Sequence, residues 1–133
     1  MSLKIILSIV LIHWFADFVM QRPRDAANKS KSFEHLFSHV WAYSCLMTVF
    51  ILLTNFISKT GSINLIDYLL FYIITFICHF ATDYYSSRWM KKMYNQKNFG
   101  VFIPRGFDFF VTLGFDQVLH YFQLFITYKL LFL

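Results

Sequence analysis

Apolar residues fall in four stretches, Leu3 to Gln21, Phe33 to Ile57, Ile63 to Ser87 and Phe107 to Phe132, with most of the charge in the short segments between them. Each stretch is long enough for a bilayer span, which takes about 20 apolar residues. The intervening segments carry turn chemistry: Arg22-Pro23-Arg24-Asp25 and Asn28-Lys29-Ser30-Lys31-Ser32, then Ser58-Lys59-Thr60-Gly61, then Asn98-Phe99-Gly100 and Pro104-Arg105-Gly106. Short connections join antiparallel neighbours. The pattern therefore predicts an all-α membrane protein with four transmembrane helices in an up-down bundle, one domain over residues 1–133. Lys4 ahead of an apolar run resembles the start of a signal peptide, but His13-Trp14-Phe15-Ala16-Asp17 offers no small-residue cleavage site, so a retained first helix is expected.

Within the apolar stretches, polar residues recur at i, i+4: His13 with Asp17, His35 with His39, His79 with Asp83, and Asp116 with His120. That spacing places both side chains on one helix face a turn apart. The stripes extend further, to Gln21 on the first helix, Tyr43 on the second, Thr75 on the third and Thr112 on the fourth. A weak duplication accompanies them, since His13, Asp17 and Arg22 recur 66 residues later as His79, Asp83 and Arg88. Counted at about 1.5 Å per residue from the basic segments, His13, Asp17, His39, His79, Asp83 and Asp116 lie at nearly one depth. His120 falls about a turn deeper and His35 about a turn shallower.

Composition agrees with a lipid-solvated chain: 58% of residues are hydrophobic and only 14% charged, against about 25% charged in ordinary globular domains. A chain of 133 residues that spends this much length on spans has no room for a separate soluble catalytic domain, so any chemistry belongs to the helices and their loops. The net charge of +5 reads as topology, and no nucleic-acid partner is expected. Nine basic residues (Arg22, Arg24, Lys29, Lys31, Arg88, Lys91, Lys92, Lys97, Arg105) flank the ends of the first and third stretches, and three (Lys4, Lys59, Lys129) lie on the other side. The positive-inside rule then places the basic loops in the cytoplasm and both termini outside. Trp89, Tyr84, Tyr85 and Tyr94 form an aromatic belt at that boundary. Cys45 and Cys78 lack CxxC spacing and read as packing thiols.

Energetics then limits what the polar stripes can be. An aspartate at a helix centre costs about 2.5 to 3.5 kcal/mol on insertion scales, so Asp17, Asp83 and Asp116 unpaired would cost on the order of 8 to 10 kcal/mol together. No Lys or Arg lies within the second, third or fourth stretch near them, which leaves protons, imidazolium or bound cations as counter-charges. His nitrogens and Asp oxygens are good ligands for zinc and other divalent first-row ions. The expected metal-ligating set is His13, Asp17, His39, His79, Asp83, Asp116 and His120, for one or two divalent ions with zinc the first choice. The surplus over four tetrahedral ligands leaves carboxylates free to orient histidines or act as base. Gln21, Gln117 and His35 are expected around the ligands.

Two motifs, HxxxDFxxQ at His13 to Gln21 and DQxxH at Asp116 to His120, together with Asn28-Lys29 and the HxxxD of the third helix, resemble a family of small bacterial and phage inner-membrane proteins of unknown function. The resemblance covers essentially the whole chain and implies an inner-membrane, multi-pass location. A more distant resemblance, carried only by His13/Asp17 and His79/Asp83, is to membrane-bound metal-dependent hydrolases and to zinc phospholipase C and S1/P1 nucleases with HxxxD ligand pairs. It implies hydrolysis of a phosphoester or lipid headgroup, with Asp17, Asp83 and Asp116 as candidate catalytic carboxylates. The alternative is a non-enzymatic membrane protein, either a small ion or proton conductor or an adaptor subunit, with a polar core that hydrogen-bonds the bundle together. The lipid bilayer is the expected partner in either case, and a homo-oligomer is compatible with both.

Overall fold

The computed structural model describes residues 1–59, 64–95 and 104–133. Five α-helices follow in order: α1 (Leu3–Trp14), α2 (Pro23–Asn28), α3 (Phe33–Ser58), α4 (Leu65–Asn95) and α5 (Pro104–Phe132), with a π-helical segment, Phe15–Val19, continuing α1. Among the described residues there is no strand. The turn expected at Asn98-Phe99-Gly100, and the Thr60-Gly61 part of another, lie outside the described residues. Pro104-Arg105-Gly106, expected as a turn, instead opens α5, where a proline at the first helical position has no amide hydrogen to lose.

Local chemistry sets the ends. Ser2 caps α1 by accepting from the Ile5 amide. The π segment closes with the Met20 amide on the Phe15 carbonyl at 2.9 Å, a wide turn that buries the consecutive residues Ala16 and Asp17. Pro23 forces Arg22 into an extended conformation (φ −67°, ψ 132°) and begins α2. Lys59 ends α3 in the left-handed region, φ 49°.

Three helices are long and apolar enough to cross a membrane, over Phe33–Ser58, Leu65–Met93 and Phe109–Phe132, as a membrane protein requires. The first apolar stretch is less regular than expected. Its α-helical part has 12 residues, about 18 Å at 1.5 Å per residue, because the π turn and the Arg22-Pro23 break interrupt it.

The side chains are distributed inside out. Leu65, Leu130 and Ile57 are about four-fifths exposed, while Thr75, His79 and Ser44 are fully buried. Water would not tolerate so much contiguous apolar surface, but lipid does. Each helix buries one stripe: Ile5, Ile9, His13 and Asp17; Leu36, His39, Tyr43, Met47 and Ile51; Phe71, Thr75, His79 and Asp83; Asp116, His120, Leu124 and Tyr128. α3 packs on α4, α4 on α5, and α1 on both α3 and α5, so the four stripes face one another around a closed ring. The interior is divided along its length. An apolar layer of Ile5, Ile9, Met47, Ile51, Phe71 and Leu124 fills one end, closed by Asn55 hydrogen-bonded to Tyr68 and Tyr128, and the histidines and aspartates fill the other.

Candidate metal centre

Asp17 from the π segment, His39 from α3, and His79 and Asp83 from α4 meet on the bundle axis. His39 Nε2 lies 3.2 Å from His79 Nε2, 3.1 Å from Asp17 Oδ1 and 3.2 Å from Asp83 Oδ2. His79 Nε2 lies 3.7 Å from the same Asp17 oxygen and 3.6 Å from the same Asp83 oxygen. A tetrahedral zinc with bonds near 2.0 to 2.1 Å has ligand-to-ligand edges of about 3.4 Å. The distances of the two imidazole nitrogens from each other and from the two carboxylate oxygens, 3.1 to 3.7 Å, bracket that value. On α5, His120 Nε2 lies 3.5 Å from Asp116 Oδ2 and 3.5 Å from Asp83 Oδ1. Three groups of ligand atoms are close enough to share an ion: Asp17 with His79 and His120, His39 with His79 and Asp83, and Asp83 with Asp116 and His120.

The donors are poised rather than satisfied. Asp17 Oδ1, Asp116 Oδ1, His79 Nδ1 and both ring nitrogens of His120 are buried without a hydrogen-bond partner among the described residues. Buried polar atoms are normally paired, so orphaned ligand atoms on four residues of the cluster fit a cation within it, and the chemistry of the donor set suits a divalent first-row ion. Ring stacking fixes the imidazoles: Tyr43 stacks on His79 with centroids 3.9 Å apart, and His79 on His120 at 4.2 Å.

His13 sits beside these groups in a different state. Its Nδ1 meets the Tyr43 hydroxyl at 2.7 Å, its Nε2 meets the Gln117 carbonyl oxygen at 2.9 Å, and Asp17 lies 4.0 Å away. Tyr43 donating and Gln117 accepting define a neutral imidazole with its proton on Nε2. Gln117 passes the chain on by donating to Asp116 Oδ2 at 3.0 Å. Gln21 reaches His39 Nδ1 at 3.0 Å, which orients the ring from behind as an outer partner should. His35 is not brought to the cluster. It pairs with Asp25 at 2.9 Å, and Arg22 binds both Asp25, at 2.9 Å, and Ser38. Burial pushes the Asp25 carboxyl up, but His35 and Arg22 outweigh it and hold it below the usual carboxylate range.

Lys29 supplies a counter-charge that the sequence had not assigned to the site. Its ammonium reaches Asp83 Oδ2 at 2.8 Å from the loop after α2. Burial opposes the charge, yet Asp83 and Asp17 outweigh it and hold the lysine above its usual range. The signal was the Asn28-Lys29 pair close behind Pro23: a short helix started by that proline turns Lys29 back under the bundle. With the imidazoles neutral, as metal ligation requires, three aspartates and one ammonium leave two negative charges, the complement of one divalent ion.

A cavity of about 280 Å³, lined by Lys29, Gln117 and all three aspartates, opens beside the cluster. A second, apolar groove of about 610 Å³ runs between α4 and α5, with Tyr85, Trp89, Val111, Phe115 and Leu119 on its walls. Asp116 lines both.

Fold and site together define an all-helical protein of membrane-spanning length whose apolar exterior encloses a His/Asp cluster able to hold metal. The chain belongs to the family described as "Protein of unknown function (DUF3307)", whose family model matches residues 5–133. No curated protein and no solved structure matches it.

Proposed function

We propose that this protein is a membrane-embedded, metal-dependent hydrolase acting on the phosphoester of an anionic membrane lipid at the cytoplasmic leaflet of the bacterial inner membrane. The observation that carries the proposal is the convergence of His39 and His79 with Asp17 and Asp83 at 3.1 to 3.7 Å, buried where unpaired carboxylates would be costly. His39, His79, Asp17 and Asp83 would hold a divalent ion, zinc by choice of donors, which would supply a water of lowered pKa and a Lewis acid for the substrate oxygen. Gln21 and Tyr43 orient the imidazoles. Lys29, in the cavity wall, offers its ammonium to an anionic headgroup, while the groove between α4 and α5 takes apolar chain and meets the cavity at Asp116.

This location takes the bundle to cross the bilayer four times, up and down, with α1 and its π segment as the fourth span beside the three long apolar helices. α1 with its π segment completes the ring, and facing residues pair in reverse order along α3 and α4 (Phe33 with Tyr84, His39 with His79, Asn55 with Tyr68). The distribution of basic residues puts the site on the cytoplasmic side and both termini outside. The competing polar-core adaptor needs no ion and no turnover.

The test is release of phosphorylated headgroup or phosphate from vesicles of anionic phospholipid by purified protein supplied with zinc, with a short-chain soluble phosphoester as a second arm. The proposal expects turnover on the lipid that Asp83→Asn abolishes. Turnover on the soluble ester alone would remove the lipid assignment, and none on either would favour the adaptor.

A further inference from the structure

The group of His39, His79 and Asp83, with Asp17 beside it, uses only one oxygen of Asp83 and leaves Asp116 and His120 unused. Their positions are specific. Asp83 Oδ1, the oxygen turned away from His39 and His79, lies 3.5 Å from His120 Nε2, which lies 3.5 Å from Asp116 Oδ2. His120 and Asp116 are almost completely buried, and both nitrogens of His120 and Oδ1 of Asp116 lack partners among the described residues. We propose a second metal site at Asp83, Asp116 and His120, bridged to the first through the Asp83 carboxylate, with its open coordination position facing the cavity lined by Lys29 and Gln117.

The two sites differ in the way that structural and catalytic sites differ. The first has Asp17 as a further donor near His39 and His79, whereas the second has three donors alone, which leaves a position for water or substrate as at catalytic metals. Both sites reach the cavity through carboxylates, Asp17 at the first, Asp116 at the second and the shared Asp83, while His39, His79 and His120 stay behind them. A carboxylate bridge brings two ions to about 3.5 to 4 Å, the spacing at which both act on one phosphoryl group. Charge sets their order. The first ion neutralises the two negative charges left by three aspartates and Lys29, so the second enters an already neutral site and binds more weakly. Its arrival makes the site cationic, a receptor for a phosphate anion. Gln117, donating to Asp116 Oδ2 at 3.0 Å, positions that ligand and transmits its orientation to His13.

This second site rests on the metal-centre proposal above, and titration of detergent-purified protein with Mn(II) alone separates the two. The expected result is two equivalents bound in two affinity classes, with an exchange-coupled electron paramagnetic resonance signal. Asp116→Asn and His120→Gln should each weaken the second class by about 10 to 100-fold, leave the first within about threefold, and convert the signal to that of an isolated ion. Wild type saturating at one equivalent, or Asp116→Asn still binding two, would overturn the second site while leaving the first intact. Wild type binding none would overturn both. The wild-type stoichiometry decides even if a variant fails to fold.

Discussion

Replacing Lys29 by methionine removes the ammonium that touches the carboxylate cluster among the described residues and keeps most of the side-chain volume. The Lys29 side chain is only 17% exposed, and its partner oxygen on Asp83 lies at 2.8 Å. Removing one partner of a buried ion pair costs about 3 to 5 kcal/mol, because the other charge remains buried and unmatched. At about 3 to 5 °C per kcal/mol for a chain of this size, chelator-treated Lys29→Met should melt about 10 to 20 °C below chelator-treated wild type. Metal reverses the comparison. Without Lys29 the site is more negative and holds a cation more tightly, so at saturating zinc the gap should shrink by at least half; metal at a hundred times its Kd alone adds about 2.7 kcal/mol. Thermal melts in detergent, followed by circular dichroism with chelator and with zinc, measure both gaps. An equal gap in the two conditions would show that Lys29 is a strut unrelated to a cation site, and no gap in chelator would refute the charge argument. The pH dependence has a defined sign. A lysine raised above its ordinary value of 10.5 contributes stability that is fully present below that pH and is lost as pH rises through the raised value, so chelated wild type should lose its advantage over the variant only in strong alkali.

His79→Ala and Asp83→Ala should each reduce bound metal by about 10-fold or more, His35→Ala much less, and Gln21→Leu should weaken binding about 10 to 100-fold through the orientation of His39; inductively coupled plasma mass spectrometry on dialysed protein reads all four. Asn at Asp17, Asp83 and Asp116 together should abolish most of the loss of melting temperature that a chelator causes in the wild type, since Asn keeps size and hydrogen bonding without charge. Asp25→Asn should lower stability by about 1 to 3 kcal/mol with metal content unchanged in saturating zinc. The contribution of Asp25 is present above its ordinary 3.8 and lost as pH falls through the depressed value, so wild type and variant should converge in acid. Reporter fusions at Lys29 and Gln96 should report cytoplasm, and fusions at Thr60 and the C-terminus the outside; the reverse would place the site near the outer leaflet.

What the sequence made legible was local. An i, i+4 pair shares a helix face whatever the helix packs against, and counting inward from the basic segments gives depth. The sequence put His13, Asp17, His39, His79, Asp83 and Asp116 at nearly one depth with His120 about a turn deeper and His35 about a turn shallower, whereas in the fold His120 lies 3.5 Å from both Asp83 and Asp116. Helix azimuth is not local. That His13 would turn its two nitrogens to Tyr43 and Gln117, while His120 keeps both unpartnered, depends on how α1 docks between α3 and α5. The π segment has no composition signature, since a wide turn at Phe15–Val19 is stabilised by burying Ala16 and Asp17 together rather than by any residue type. Lys29 escaped assignment for a related reason: in the sequence it is one of several loop cations, and only the break at Arg22-Pro23 with the short α2 carries it to Asp83 while Arg24 and Lys31 remain outside the cluster.

Metal content of the wild type, purified in mild detergent from metal-replete cells and measured by inductively coupled plasma mass spectrometry alongside its helicity, tests the cation-centred core most directly. The account predicts at least one equivalent of a divalent transition metal, retained through dialysis and lost on chelation together with thermal stability. Helical protein carrying less than about 0.2 equivalents, with melting unchanged by chelator, would show that Lys29 and hydrogen bonds alone satisfy the three aspartates and would contradict the metal centre.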